Sequence, residues 1–238
     1  MLARLFKRTA TKRPLDTARV PDGVRVYAIG DVHGRNDLLL TLLDQIERDN
    51  ITRGPAKTQI IFLGDLVDRG DDSAGVIETA MALRATGGNV RFLLGNHEEI
   101  FVKACRKRDL KTLRFFLKIG GDATLQSYPI PRSEYLTLTL EELAERLPSL
   151  VPDAHLAFLE SFEDQVVIGD YAFVHAGITR AWHYPNKNAA TCAGYAKNLP
   201  IIKAIWKRSW CLVTRFTPRS RNAVRGSALI PARMPRAC

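Results

Sequence analysis

The 238-residue chain carries 35 Lys/Arg against 25 Asp/Glu, a formal charge of +10, and that excess comes from one end. Residues 1–178 hold 23 basic residues and all 25 acidic ones, a balance of −2, whereas residues 179–238 hold 12 basic residues and no acid. A body so close to neutral excludes a broad nucleic-acid-binding face, no apolar run is long enough to span a membrane, and the length suffices for one good core.

In residues 1–13, Leu2, Leu5 and Phe6 lie among Arg4, Lys7 and Arg8 without a continuous apolar run. Residues 1–20 therefore read as a frayed basic leader, with no export signal. The first strand, residues 24–29, delivers Gly30-Asp31-Val32-His33-Gly34. Asn36 and Asp37 are expected to cap a helix that turns Leu38, Leu39, Leu42, Leu43 and Ile46 inward. Gly54-Pro55 closes that connection, and a second strand begins near Thr58. Its apolar run Ile60-Ile61-Phe62-Leu63 ends on Gly64-Asp65, followed by Asp68, Arg69 and Gly70. Ser73 is expected to cap the next helix, with Val76, Ile77, Ala80, Met81 and Leu83 inward and an end at Gly87-Gly88. A third strand, residues 90–94, delivers Gly95-Asn96-His97-Glu98 and opens another helix. This alternation predicts a parallel sheet whose chemistry sits beyond the carboxyl ends of its strands.

Residues 109–155 break the rhythm and read as a mostly helical insertion over the cleft. Leu113, Phe115, Phe116 and Leu117 form an apolar helical stretch, with Phe115 and Phe116 expected in ordinary core. Gly120-Gly121-Asp122-Ala123-Thr124 interrupts it, and short helices are expected over residues 141–147 and 157–162. Residues 165–171 read as a hairpin turn into a strand that delivers His175-Ala176-Gly177. Four apolar strands thus end in Asp, His or Asn beside glycine, which are metal-ligating side chains on tight turns. A lone histidine is more often a satisfied core imidazole; the repetition shifts His33 and His175 towards ligands.

The set GDxHG, GDxxDRG, GNHE and HAG resembles the calcineurin-like metallophosphoesterases, most closely bacterial members of the serine/threonine phosphoprotein phosphatase branch, over roughly residues 24–178. The resemblance implies an α/β fold, a layered α-β-β-α sandwich with a helical cap insertion, over a domain of residues 21–178. It implies two divalent metal ions, Mn²⁺ foremost with Fe or Zn²⁺ as alternatives. Asp31 and His33 would bind the first, Asp65 would bridge, and Asn96 and His175 would bind the second. His97 takes the place of a general acid, Asp68 orients its imidazole, and Arg69 with Asn96 holds phosphate oxygens. The implied reaction is phosphomonoester hydrolysis by attack of a metal-bound hydroxide, on a phosphoprotein or a small phosphorylated substrate. A dinucleoside polyphosphate hydrolase shares these motifs. A monomeric cytoplasmic chain is expected, without nucleic-acid or membrane partners, and the four cysteines show neither a disulfide framework nor a zinc knuckle.

Two departures stand against the family pattern. Leu94 lies where many eukaryotic members have arginine, and residues 179–238 lack the later Gly-His-Thr and IDTGA motifs. The only histidine after His175 is His183, in an unrelated context. That segment instead holds all three tryptophans and three of the four cysteines. A shifted reading frame, starting near Thr179-Arg180, accounts for this. Allowed codons for residues 188–196, read from the third base, give RRDLRWIR; those for residues 209–217 give VVSGHTIY and those for residues 228–234 give IDTGAY. The competing reading is a genuine basic, Trp-containing tail for nucleic acid or membrane, or an inactive metal-binding remnant. No periodic pattern organises its charges, so the frameshift is favoured and the C-terminal part of the fold is expected to be incomplete.

Overall fold

The computed structural model describes residues 19–176 and the backbone of Leu212–Arg215. Strands β1 (Val24–Ile29), β2 (Lys57–Phe62) and β3 (Val90–Phe92) form a parallel sheet in the order β1-β2-β3. Register sets Ile29 opposite Phe62 and Phe62 opposite Phe92, so the three carboxyl ends finish level. Helices α1 (Asn36–Thr52) and α2 (Ser73–Ala85) make the two crossovers, and α3 (Asn96–Lys107) leaves the end of β3.

Side chains alternate across the pleat. Phe62 and Phe92 stack 4.9 Å apart on the helical side, while Ile61, Leu63 and Leu93 face the other way. There they pack on Val166, Ile168 and Phe173 of a second sheet, built antiparallel from β4 (Val166–Ile168), β5 (Tyr171–Val174) and β6 (Leu212–Arg215). Glu163, ahead of β4, bridges to the end of β3, donating its N–H to Phe92 O and accepting that of Leu94, both at 2.8 Å. The mixed α/β fold therefore shows helix, sheet and sheet layers among the described residues. Residues 1–18 of the expected 1–20 leader, Gly177, and the C-terminal segment expected to be incomplete lie outside the described residues, apart from the backbone of β6, and the expected outer helical layer is not among the described elements.

The insertion is helical and shares the main core. Asp109 caps α4 (Leu110–Phe116), a π turn Leu117–Gly121 follows, and α5 (Asp122–Gln126), α6 (Arg132–Tyr135), α7 (Leu140–Leu150) and α8 (Asp153–Glu160) complete it. Phe116 stacks on Phe101 of α3 at 5.2 Å, and Leu113, Leu125, Leu147 and Leu159 are fully buried. Each such side chain contributes about 1.5–3 kcal/mol on burial, so the insertion is bound to the sheet layer by its own apolar face.

Local expectations shift by small amounts, each with a cause. Asn36 is not the cap of α1; Arg35 stands there, and the Asn36 amide ties Asp72 to Thr79 instead. Leu38 is 39 % exposed while Leu39 is buried, and Phe115 is 51 % exposed while Phe116 is buried, because adjacent helical positions differ by about 100° in direction. Phe115 is thus no core residue. Asp72 caps α2 through its carboxylate on the Gly75 N–H at 2.9 Å, leaving Ser73 to face the loop after β2. Helix α7 starts at Leu140 because Thr139 and Glu142 form a capping box, and α8 starts at Asp153 behind Pro152. The Gly120-Gly121 break is a kink between helical turns, with Gly120 at φ +108.

Candidate metal and active site

Level strand ends bring three segments together: Asp31 and His33 in the loop after β1, Asp65 to Arg69 in the loop after β2, and Asn96 and His97 at the start of α3. His175 arrives from β5 on the second sheet. The approach is so close that a Cβ on Gly64, at φ +96, would lie 2.7 Å from both the Gly95 nitrogen and His175 Nδ1. Val32 and His33 both donate N–H to the Asp65 carbonyl at 3.0 Å, which stitches the first loop to the second. Among described non-glycine residues, positive φ occurs at His33, Asp65, Asp68, Arg69 and Arg108, and all but Arg108 belong to this cluster. Such backbone costs on the order of 1–3 kcal/mol per residue and persists where surrounding contacts over-determine it.

Proton placement follows from the backbone partners. His33 Nδ1–H donates to Val67 O at 2.9 Å and His175 Nδ1–H donates to Leu63 O at 2.7 Å, since a carbonyl only accepts. Each Nε2 is then a lone pair. His175 Nε2 lies 3.2 Å from Asn96 Oδ1 and 3.3 Å from Asp65 Oδ1, three acceptors converging on one another. A cation among them removes the conflict, so these residues fit a divalent metal ion. Donor atoms of Asp31, Asp65 and His175 lie within 4.8 Å of one another, as do those of His33, Asp65 and His97. Asp65 belongs to both groups. Asp31 and His33, expected on one ion, lie with His33 Nε2 3.9 Å from Asp31 Oδ2.

His97 sits beside this cluster, buried, with its ring edge-on to His33 at 4.8 Å. Its Nδ1–H donates to Asp68 Oδ2 at 2.6 Å. Burial pulls the His97 pKa down, but the Asp68 hydrogen bond and the Asp65 and Asp68 charges together carry it above the usual value. His33 moves the other way, lowered chiefly by burial and further by the Arg69 and His97 charges. Arg69 spans the two rings, donating from Nη1 to His33 Nε2 at 2.8 Å, with Nη2 3.0 Å from His97 Nε2.

A model of the family described as calcineurin-like phosphoesterase matches residues 24–227. The chain belongs to that family. Within it, the chain is 33 % identical over 180 residues to a symmetrical bis(5'-nucleosyl)-tetraphosphatase of Methylococcus capsulatus, covering 75 % of this chain and 50 % of that protein. It is 42 % identical over 167 residues to the enzyme of the same name from Escherichia coli O17:K52:H18, covering 70 % and 48 %. The chain spans about half the length of the curated relatives it matches. A solved metallophosphoesterase from Sphaerobacter thermophilus is 22 % identical, with a TM-score of 0.34 over 64 % of this chain and 46 % of that one. Among the described residues, no helix of this calcineurin-like phosphoesterase is long and apolar enough to cross a membrane.

Sequence reasoning assigned no site role to Glu98, Ser73, Gly120 or Thr124, all of which hold the cluster in place. Glu98 is fully buried and accepts backbone N–H groups from Asp65, Leu66, Val67 and Gly95 at 2.7–3.2 Å. Burial pushes its carboxyl up to about 7 and the Asp65 charge pushes the same way, while the backbone donors oppose both. The Glu of GNHE was visible in the sequence; its partners, some 32 residues upstream of it, were not.

Proposed function

We propose that this metal-dependent phosphoesterase hydrolyses a dinucleoside tetraphosphate symmetrically, yielding two nucleoside diphosphates. The observation that carries the chemistry is the convergence of His175 Nε2, Asn96 Oδ1 and Asp65 Oδ1 beside the His97–Asp68 pair. The names of the curated relatives support the substrate, and favour it over the serine/threonine phosphoprotein expected from the motifs.

In this reading Asp31, His33, Asp65, Asn96 and His175 hold divalent cations, Mn²⁺ or alternatively Fe or Zn²⁺, which supply Lewis acidity and lower the pKa of water. Arg69 binds phosphate oxygens with its planar fork, together with the Asn96 side chain. His97 protonates the leaving oxygen through Nε2, and Asp68 holds the proton on Nδ1 and steadies the imidazolium. Asp68 does this from a site without solvent exposure, so the pair is preorganised.

Incubation with diadenosine tetraphosphate and Mn²⁺, with products separated by ion exchange, tests the proposal. Two molecules of ADP per substrate are expected. ATP plus AMP would contradict symmetrical cleavage, and phosphate release from a phosphoserine peptide alone would restore the protein phosphatase reading.

A further inference from the structure

The helical insertion reaches into the candidate site at one buried hydroxyl. Thr124, on α5, donates its O–H to Asp68 Oδ1 at 2.8 Å and accepts the Asp68 backbone N–H at 2.8 Å. Its single hydroxyl hydrogen being used on a carboxylate, the Ser73 hydroxyl 2.9 Å away donates to it. Thr124, Ser73 and Asp68 are all fully buried. Asp68 therefore has one oxygen on His97 and the other on Thr124, and Thr124 also holds a backbone at φ +74.

We infer that Thr124 is a positioning residue for proton transfer, fixing the Asp68 carboxylate so that its second oxygen meets His97 Nδ1. The inference rests on the proposed role of His97 as the acid. Helix α5 is itself held against α2 at two points, through Thr124 to Ser73 and through the Ser127 hydroxyl, which accepts the Ala74 N–H at 3.0 Å. The neighbouring turn completes the clamp: Gly120 O accepts the Arg69 N–H at 3.0 Å, and a Cβ at Gly120 would meet Arg69 Cγ at 2.8 Å. The insertion thus sets both the acid's partner and the phosphate-facing arginine. Without the Thr124 hydroxyl, Asp68 Oδ1 has no donor from α5 and the carboxylate can rotate away from His97, at a site where displacements near 0.5 Å matter.

The test compares the parent, Thr124→Val, Thr124→Ser and His97→Ala on phenyl phosphate and p-nitrophenyl phosphate at saturating Mn²⁺. Phenoxide is the poorer leaving group and needs the proton more. Thr124→Val is expected to lower kcat on phenyl phosphate by about 10–100-fold, the range seen for lost outer-shell partners, with a smaller loss on p-nitrophenyl phosphate. KM should change by less than about 3-fold and Thr124→Ser should recover most of the rate, because only a transition-state interaction is removed. His97→Ala should show the same leaving-group bias more strongly. An equal loss on both substrates for Thr124→Val, or none, while His97→Ala keeps the bias, overturns the positioning role. Loss of the bias in His97→Ala itself overturns the reading of His97 on which it rests.

Discussion

Glu98 Oε2 accepts the backbone N–H of Asp65 at 2.8 Å, and the same oxygen accepts that of Gly95 at 3.0 Å, so one buried carboxylate joins the ends of β2 and β3. Through Oε1 it also holds Leu66 and Val67 at 2.7 and 3.2 Å. Glu98→Gln turns an amide hydrogen towards these donors and leaves at least one N–H unsatisfied. A loss of about 1–3 kcal/mol in urea unfolding is expected, with Mn²⁺ affinity about 10–100-fold weaker by titration. Unchanged affinity would show that Glu98 serves the fold and not the site.

Asp68→Asn keeps the shape beside His97 but removes the charge that raises its pKa. The expected outcome is a fall in kcat of about 10–100-fold on phenyl phosphate with little change in KM. A pure KM effect would place the pair in substrate binding.

The acid limb of stability should report a histidine away from the metal-binding cluster. His155 is buried, its Nδ1 3.0 Å from the Tyr128 hydroxyl, and burial lowers its pKa while the Glu78 charge opposes. A histidine whose folded value lies below its unfolded value of about 6.5 contributes stability that is fully present above the unfolded value. That stability is lost as pH falls towards and through the folded value. His155→Gln is therefore expected to lose less stability than the parent between about pH 7 and pH 5, measured by urea midpoints across that range. An identical acid limb in both proteins would assign the decline to other groups.

Cys105 is buried, and burial pushes its thiol up to about 12. Peptide-mapped iodoacetamide labelling at neutral pH should leave it unmodified in the folded chain and label it in urea. Labelling in the folded state would mean that α3 opens readily.

What the sequence made legible was the part written locally. The apolar run before Gly64-Asp65 identified β2, and the glycines beside Asp31, Asp65 and Asn96 marked the turns that carry the cluster. Thr124 was illegible because its meaning comes from Asp68, 56 residues away, and nothing in a Gly-Gly-Asp-Ala-Thr stretch announces a buried hydroxyl. Phe115 and Phe116 were read alike because hydrophobicity alone does not say which of two adjacent helical positions, about 100° apart, meets the core; contact with Phe101 decides it. Asn36 and Ser73 were read as caps by type, and the tertiary partners Asp72 and Asp68 claimed them instead.

The backbone of β6 pairs with the His175 strand, Val213 opposite Phe173 and Thr214 opposite Ala172. In the shifted frame proposed for residues 179–238, allowed codons for Val213 and Thr214 place the histidine of Gly-His-Thr across them. Resequencing the gene from the His175 codon onward is expected to restore that frame, and the restored chain should bind Mn²⁺ at least about 10-fold more tightly. Confirmation of the printed frame would leave the basic segment as native sequence.

The central claim is that Asp65, shared by both donor groups, makes hydrolysis depend on metal. The most direct measurement is the rate of diadenosine tetraphosphate hydrolysis by the parent and by Asp65→Asn across a Mn²⁺ titration. The expected result is turnover by the parent that appears only with Mn²⁺ and a variant that stays inactive at every concentration. Equal rates in the two proteins, or a parent whose rate ignores Mn²⁺, would contradict the account.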